Sequence, residues 1–535
     1  MKKVLFLTVA LMLSLAMGAS ALTVSGPNEF PIVDEPYELD VWMSLDATIE
    51  DMETNETTKY YEEKTGVHIN WTQVSGDLAT KLNLSISSGE YPDIYTCSFS
   101  TDQVTQYSQA GIFLPLNDLI KEHSYYIKQV LEERPDIKEA ITAPDGQIYT
   151  LFKTDPATYT LVRNKLYVNH DWLEKYCQET GKEAPVTTQE FEDMLIYWRD
   201  NDMNGNGDPS DEIPMAGTLA TDGGDFTVYL LNAFQATPQY DSMVANEEGE
   251  VELIAITDEY REGLKWIHHL YEEGLIAEET FIQDNSQLQS LVNNNDPTAR
   301  IVGAFGGFWA GVTVSPSSME NAYDVYDVLA PLEGPTGLRQ ATTSGHLPLE
   351  LKGAITVACE RPDIAIKWLD WWFSNEGMVL IDYGFEGVNW EWSDTPAING
   401  TVPSRMFLKD RNILQNTVWY VDTVPYYRTE ESLFGRTPTD HVPYLYEGAD
   451  AYDDFYTLTN FPQFAWCNDT NLLAEYNEMK TLFNDYILQA RVQFITGAMD
   501  VEDDAAWQGY LDQLNAMGLE RYLEVVEEVN FGSAE

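Results

Sequence analysis

Residues 38–95, ELDVWMSLDATIEDMETNETTKYYEEKTGVHINWTQVSGDLATKLNLSISSGEYPDIY, decide the fold. Glu38–Met43 reads as a strand. Glu50–Lys64 reads as a helix closed by Gly66. Val67–Val74 alternates apolar and polar residues as a second strand. Leu78–Ser87 follows as a helix, and Tyr91–Tyr95 as a short strand after a turn. This β-α-β-α-β order predicts a mainly parallel sheet covered by helices. Such sheets bind ligands beyond the carboxyl ends of their strands, where Ser44, Asp46, Ser98, Phe99, Ser100 and Asp102 fall.

Further along, Asp145-Gly146 marks a turn, and residues 148–168 read as extended chain and as a first crossing between lobes. Helices are expected from Trp172, over Gln189–Arg199 and over Tyr260–Glu273. Ala299–Phe305 reads as a buried strand opening into Gly306-Gly307-Phe308-Trp309, and Ala354–Cys359 as another strand. Arg361-Pro362-Asp363 starts a helix with proline in its first turn. Its Ile364, Trp368, Leu369 and Trp372 recur at helical spacing and read as core. Residues 388–470 are aromatic and irregular, and Leu472–Glu528 is helical.

A chain of 535 residues exceeds what one hydrophobic core serves, so at least two lobes are expected. A hydrophobic content of 44% argues against disorder. The 14 Trp, 31 Tyr and 21 Phe serve large cores or a surface that stacks on sugar faces. A formal net charge of −58 repels nucleic acid and anionic lipid, so neither is an expected partner. Lys2 and Lys3, the apolar run Val4–Met17 and Ala19-Ser20-Ala21 form an export signal, residues 1–21, with cleavage expected after Ala21. No cysteine stands near that point, so no lipid anchor is expected. Cys97, Cys177, Cys359 and Cys467 are scattered and show no zinc spacing, leaving disulfides or buried thiols open.

The sharpest local motif is Asp202-Met-Asn204-Gly-Asn206-Gly-Asp208-Pro-Ser-Asp211-Glu212. Oxygen-bearing side chains at alternate positions, with glycine between, wrap backbone around a hard cation. Asp202, Asn204, Asn206, Asp211 and Glu212 are the side-chain ligands, and Asp208 is placed to add its carbonyl. The twelfth position is Ile213, not the acid of an EF-hand, and the alternative is an Asn/Gly turn that binds nothing. Catalytic signatures are lacking: no HExxH, no GxSxG and no phosphate loop. Glu386 and Glu391, among aromatics, are the carboxylate pair to test for glycoside cleavage.

Seven stretches are together similar to one family: YPDIYTCSFSTDQVTQYSQAGIFLPLNDLI, DGQIYTL, LYVNHDWLEKY, EFEDMLIYWRDNDMNGNGDPSDEIP, ARIVGAFGGFWAG, RPDIAIKWLDWWFSNEGMVLIDYGFEGVNW and FITGAMDVEDDAAWQGYLDQLNAMGL. They resemble the family 1 extracellular solute-binding proteins of ABC importers, in the branch of large alginate-oligosaccharide-binding and related proteins. The resemblance implies a type II periplasmic-binding-protein fold, α/β and two-lobed, with a ligand cleft between lobes joined by hinge crossings. It implies a calcium site at the NGNG…DEIP loop, although this chain has one residue more there than the form NGNGKADEIP. It points to Trp309 as a stacking aromatic and to Glu386, Asn389 and Trp390 near the cleft. Trp42, Ser98 and Asp102 complete the expected ligand-binding set.

The expected division is 22–152 for the first lobe, 153–334 for the second, 335–378 for the first again, and 379–535 for the second with the C-terminal helices. The expected function is a monomeric, non-enzymatic receptor, periplasmic or secreted. It captures a carbohydrate and passes it to membrane permease subunits. A secreted glycoside hydrolase and a ligand-sensing partner of a membrane receptor are the alternatives.

Overall fold

The computed structural model describes residues 22–220, 223–238, 242–246, 248–314, 324–409, 414–419, 423–437 and 442–532. The export signal at 1–21 lies outside the described residues.

The opening pattern folds as strand β1 (Tyr37–Ser44), helix α1 (Glu56–Thr65), strand β2 (Val67–Val74), helix α2 (Leu78–Ser88) and strand β3 (Ile94–Phe99). β1 runs parallel to both β2 and β3. Helix α1 starts six residues later than its sequence suggests. Asn55 caps it by accepting from the Thr57 amide at 2.9 Å, and residues 48–56 are held by backbone bonds to Gln415 and Asn416. Gly66, with φ 75°, ends the helix in a conformation that a side chain disfavours. Helices α3 (Thr101–Gln109), α4 (Asn117–His123), α5 (Tyr126–Glu133) and α6 (Pro135–Ile141) then lead to strand β4 (Phe152–Thr154).

The chain next enters a second core. Strand β5 (Lys165–Asn169), helices α7 (His170–Thr180) and α8 (Thr188–Asp200) and strand β6 (Ile213–Ala216) belong to it. Its four-stranded sheet runs 326–329, β5, 302–307, β6. On return, Leu349–Ile355 inserts between β4 and β3, antiparallel to both. The chain leaves the first sheet at Thr154 and re-enters opposite it at Leu349, so the returning strand must run backwards. The parallel reading therefore holds for β1–β3, and the six-stranded sheet as a whole is mixed.

The two cores define two lobes. The first gathers residues from 32–152, 349–381 and 419–426, and the second from 162–341 and 452–526. The chain passes between them after Thr154, before Leu349 and after Tyr427. The assignment of 379–535 to the second lobe is corrected here. Ile381, Trp419, Val424 and Tyr426 are in the first core because Tyr426–Tyr427 adds a parallel edge strand to β4. Pro362 opens its helix as expected, and Ile364, Trp368, Leu369 and Trp372 are all buried. Trp372 lies 4.5 Å from the Tyr61 ring and 4.6 Å from Trp419, at the centre of an aromatic cluster. Three helices close the chain, Thr470–Ile495, Asp504–Ala516 and Leu519–Phe531. Among the described residues no helix is long and apolar enough to cross a membrane. All four cysteines are free thiols, and burial pushes those of Cys97 and Cys359 up to about 12.

Candidate functional site

The first sheet ends in polar side chains at its carboxyl edge. Ser98 donates to Glu350 at 2.8 Å, and Lys153 reaches the other oxygen of Glu350 at 3.1 Å. Where the chain leaves this edge, Arg428 binds Asp155 at 2.5 Å and Asp382 at 2.9 Å. Burial opposes the guanidinium charge, but Asp382 and Asp155 outweigh it and hold the group well above its ordinary value. Arg428 offsets one of the two carboxylate charges and bonds both groups, so the start of the first passage, at Asp155, is pinned to the start of the last.

The second sheet ends in Gly306-Gly307-Phe308-Trp309. A side chain at Gly306 would meet the Gly224 carbonyl at 2.9 Å, so glycine lets strand 302–307 lie close to that segment. Phe308 and Trp309 emerge half-buried at its end. The Trp309 ring lies over Gly311, where an added Cβ would stand 2.0 Å from it. Phe308 starts a row of rings: it meets Tyr159 at 5.9 Å, Tyr159 meets Tyr446 at 5.4 Å, and Tyr446 meets Phe434 at 4.7 Å. This ladder runs from the second sheet, across the first passage, to the segment that follows the first sheet's edge strand. Buried Lys165 anchors it by donating to the Tyr159 carbonyl at 2.8 Å, to Phe308 at 3.2 Å and to Val162. The Arg163 guanidinium covers the Phe308 ring at 4.7 Å. A cavity of about 500 Å³ also touches the passages, lined by Thr160, Thr343, His346, Gln463, Tyr476 and Tyr522 among others.

The residues singled out from the sequence are distributed as follows. Ser98 is exposed and Asp102 half-exposed at the first sheet's edge. Trp42 is 4% exposed and packs against Tyr95 in the first core. Glu386 is exposed, and Asn389 behind it is buried, accepting from the Phe385 amide and donating to Thr417. Trp390 is 5% exposed, and its indole donates to the Gly384 carbonyl at 3.0 Å. Its neighbour Trp392 is 47% exposed, so the outward ring of the 390–393/404–407 hairpin is Trp392. Glu386, Asn389 and Trp390 thus form one local group on the first lobe, whereas Trp309 stands on the second. None of the seven expected ligand residues lines the 500 Å³ cavity.

The loop at 202–212 is a tight coil of side chain-to-backbone bonds. Asp202 accepts from Gly205 at 2.7 Å and Gly207 at 2.9 Å, Asn204 from Asn206, and Asn206 from Asp208. Asp211 receives the amides of Asn204 and Asn206. Asp208 is turned onto Ser210, leaving its carbonyl as the group it can offer. Glu212 is 8% exposed, and one of its oxygens accepts from Met203 and Asn204 while the other, buried, has no partner. Burial raises the Glu212 carboxyl above its ordinary value. An unpartnered buried carboxylate oxygen beside four further oxygen-bearing side chains fits a hard cation. Among the described residues no three His, Cys, Asp or Glu side chains form a metal-holding group.

Tyr159, Phe308, Tyr446, Phe434, Asp155 and Asp382 escaped the sequence reading; Arg428 stood out there only as one of four arginines, with Arg405, Arg411 and Arg436, able to serve an acidic sugar or to offset carboxylates, and it offsets Asp155 and Asp382. Only Phe308 carried a usable signal, because it precedes Trp309 at the same strand end.

Two α/β lobes joined by repeated passages of the chain are the architecture of a two-lobed solute-binding protein. The family model of bacterial extracellular solute-binding proteins matches residues 46–379, well over half of the chain, and the protein belongs to that family. It is 28% identical to the fructooligosaccharide ABC transporter substrate-binding protein FusA of Streptococcus pneumoniae, over 98% of this chain and 96% of that one. A solved structure of an EF-hand mutant of FusA with fructo-nystose superposes with a TM-score of 0.74 at 25% identity, covering 92% of this chain and 98% of that one. Alginate-binding protein AlgQ2, solved without calcium ion, shares the fold with a TM-score of 0.66 at 21% identity, over 93% and 98% of the two chains.

Proposed function

We propose that this protein is the extracytoplasmic receptor of an ABC importer and captures an oligosaccharide between its lobes for delivery to the membrane permease. The observation that carries this reading is the match to a fructooligosaccharide-binding receptor along 98% of the chain. The strand-end chemistry supports it. Sugars present flat C–H faces to aromatic rings and hydroxyl groups to carboxylates and serines. In this reading Trp309 supplies a stacking face, and Ser98, Asp102 and Glu386 accept hydroxyl groups. Trp42, Asn389 and Trp390 hold those elements in place from behind. The protein acts as a monomer, is exported by cleavage after Ala21, works in the periplasm or as a secreted form, and turns nothing over.

The 202–212 loop holds calcium in this reading, through the side chains of Asp202, Asn204, Asn206, Asp211 and Glu212 and the carbonyl of Asp208. The existence of an EF-hand mutant of the related FusA supports it, as does the orphaned Glu212 oxygen. The ion would be structural, since every donor is a protein oxygen and no acid–base group stands beside it.

Calorimetric titration of the purified protein with kestose and longer fructans, alongside uronic-acid oligomers, tests the function. Saturable binding without release of product over hours is expected. Steady cleavage lost in Glu386→Gln or Glu391→Gln would instead make the protein a hydrolase.

A further inference from the structure

Three consecutive helices each bring one lysine to the rim of a single cavity of about 260 Å³: Lys121 from α4, Lys128 from α5 and Lys138 from α6. Its floor is apolar. Ile120 and Leu131 are each 6% exposed there, and Ile148 is 3% exposed. All three lysines are exposed, and none of their ammonium groups has a hydrogen bond or ion pair among the described residues. Lys64, Lys153, Lys182 and Lys265, by contrast, each have a carboxylate partner. The single carboxylate lining the cavity is Glu132. The cavity lies on the first lobe and shares no residue with the groups described above.

We propose that this cavity binds a phosphate group carried on a short carbon chain. Three ammonium groups outnumber the one charge of a carboxylate and suit a phosphate, which lysine binds as a point charge without a fixed fork geometry. The apolar floor takes the carbon segment. At physiological ionic strength charges beyond about 8 Å are largely screened, so the field at the cavity is set by nearby groups: the three lysines and Glu132 of its lining, with Glu122, Glu133 and Glu139 on the same helices. A free phosphate ester and the headgroup of a phospholipid offer the same chemistry.

Calorimetry with glycerol phosphate at constant ionic strength, with chloride as control, measures the free-ester arm. Flotation with vesicles of phosphatidylcholine, with and without phosphatidylglycerol, measures the lipid arm. Saturable glycerol phosphate binding is expected, weakened at least about tenfold in Lys121→Gln/Lys128→Gln/Lys138→Gln, retained in the corresponding Lys→Arg variant and strengthened in Glu132→Gln. Flotation only with phosphatidylglycerol, lost in the glutamine variant, identifies a lipid source; calorimetric binding without flotation identifies a free ester. Absence of binding in both arms overturns the proposal, and so does a glutamine variant that binds as tightly as the parent. Loss of importer stimulation in that variant without phosphate binding points to an acidic protein segment and also overturns it. Melting curves of the variants, expected to match the parent, separate these outcomes from misfolding.

Discussion

At the scale of single residues, the structure separates aromatic side chains that offer a face from those that fill a core. Trp309 is half-buried at a strand end, whereas Trp390 and Trp42 are buried. Trp309→Ala is therefore expected to weaken oligosaccharide binding by about 1–3 kcal/mol with the melting temperature nearly unchanged. Calorimetry beside a thermal melt checks it; equal affinity in the variant would remove Trp309 from the site. Arg428 poses the opposite case. Its removal leaves Asp382, 4% exposed, without the guanidinium that compensates its charge. Arg428→Leu should cost about 3–5 kcal/mol of stability in denaturant unfolding. The place of Trp309 just past a strand end was legible in the sequence from the Gly-Gly pair that precedes Phe308 and Trp309. The role of Arg428 was not, because Asp155 and Asp382 lie far from it along the chain and nothing local marks them as its partners.

At the scale of elements, local pattern served where partners are near in sequence and failed where they are distant. Strands β1–β3 and the helix opened by Pro362 were legible from alternation, turn residues and proline placement. The late start of α1 was not, because the bonds that hold residues 48–56 come from Gln415 and Asn416. Nor was the direction of Leu349–Ile355, which is set by where the chain re-enters the sheet. Residues 388–470 were legible only as aromatic and irregular: Tyr426–Tyr427 and Tyr456–Leu458 pair with distant strands, and the local hairpin of 390–393 with 404–407 carries no short turn signal between its strands. Trp372 tests the element it completes. Trp372→Ala removes a fully buried ring from the cluster with Tyr61, Trp371 and Trp419. A loss of about 3–5 kcal/mol is expected, with the affinity of the folded fraction preserved. For the 202–212 loop, free calcium a hundredfold above its Kd should stabilise the fold by about 2.7 kcal/mol. Asp202→Ala and Asp211→Ala should each abolish that gain. A chelator that leaves the melting temperature of the untreated protein unchanged would remove the ion from this loop.

At the scale of the whole molecule, two cores joined by several passages are expected to move as hinged bodies, and a ligand touching both lobes favours their approach. Saturating oligosaccharide should therefore shrink the radius of gyration measured by solution scattering, and an unchanged radius would mean that the lobes hold one arrangement. The interleaving of the chain has a further consequence, one of timing. Strands β1–β3 are finished by residue 99, yet the core they belong to also needs Leu349–Ile355, Trp419 and Tyr426. At about 5–20 residues per second of synthesis, those partners emerge tens of seconds after the strands they cover. Throughout that interval the nascent first lobe exposes apolar strand faces, so a chaperone has its longest opportunity at the earliest part of the chain.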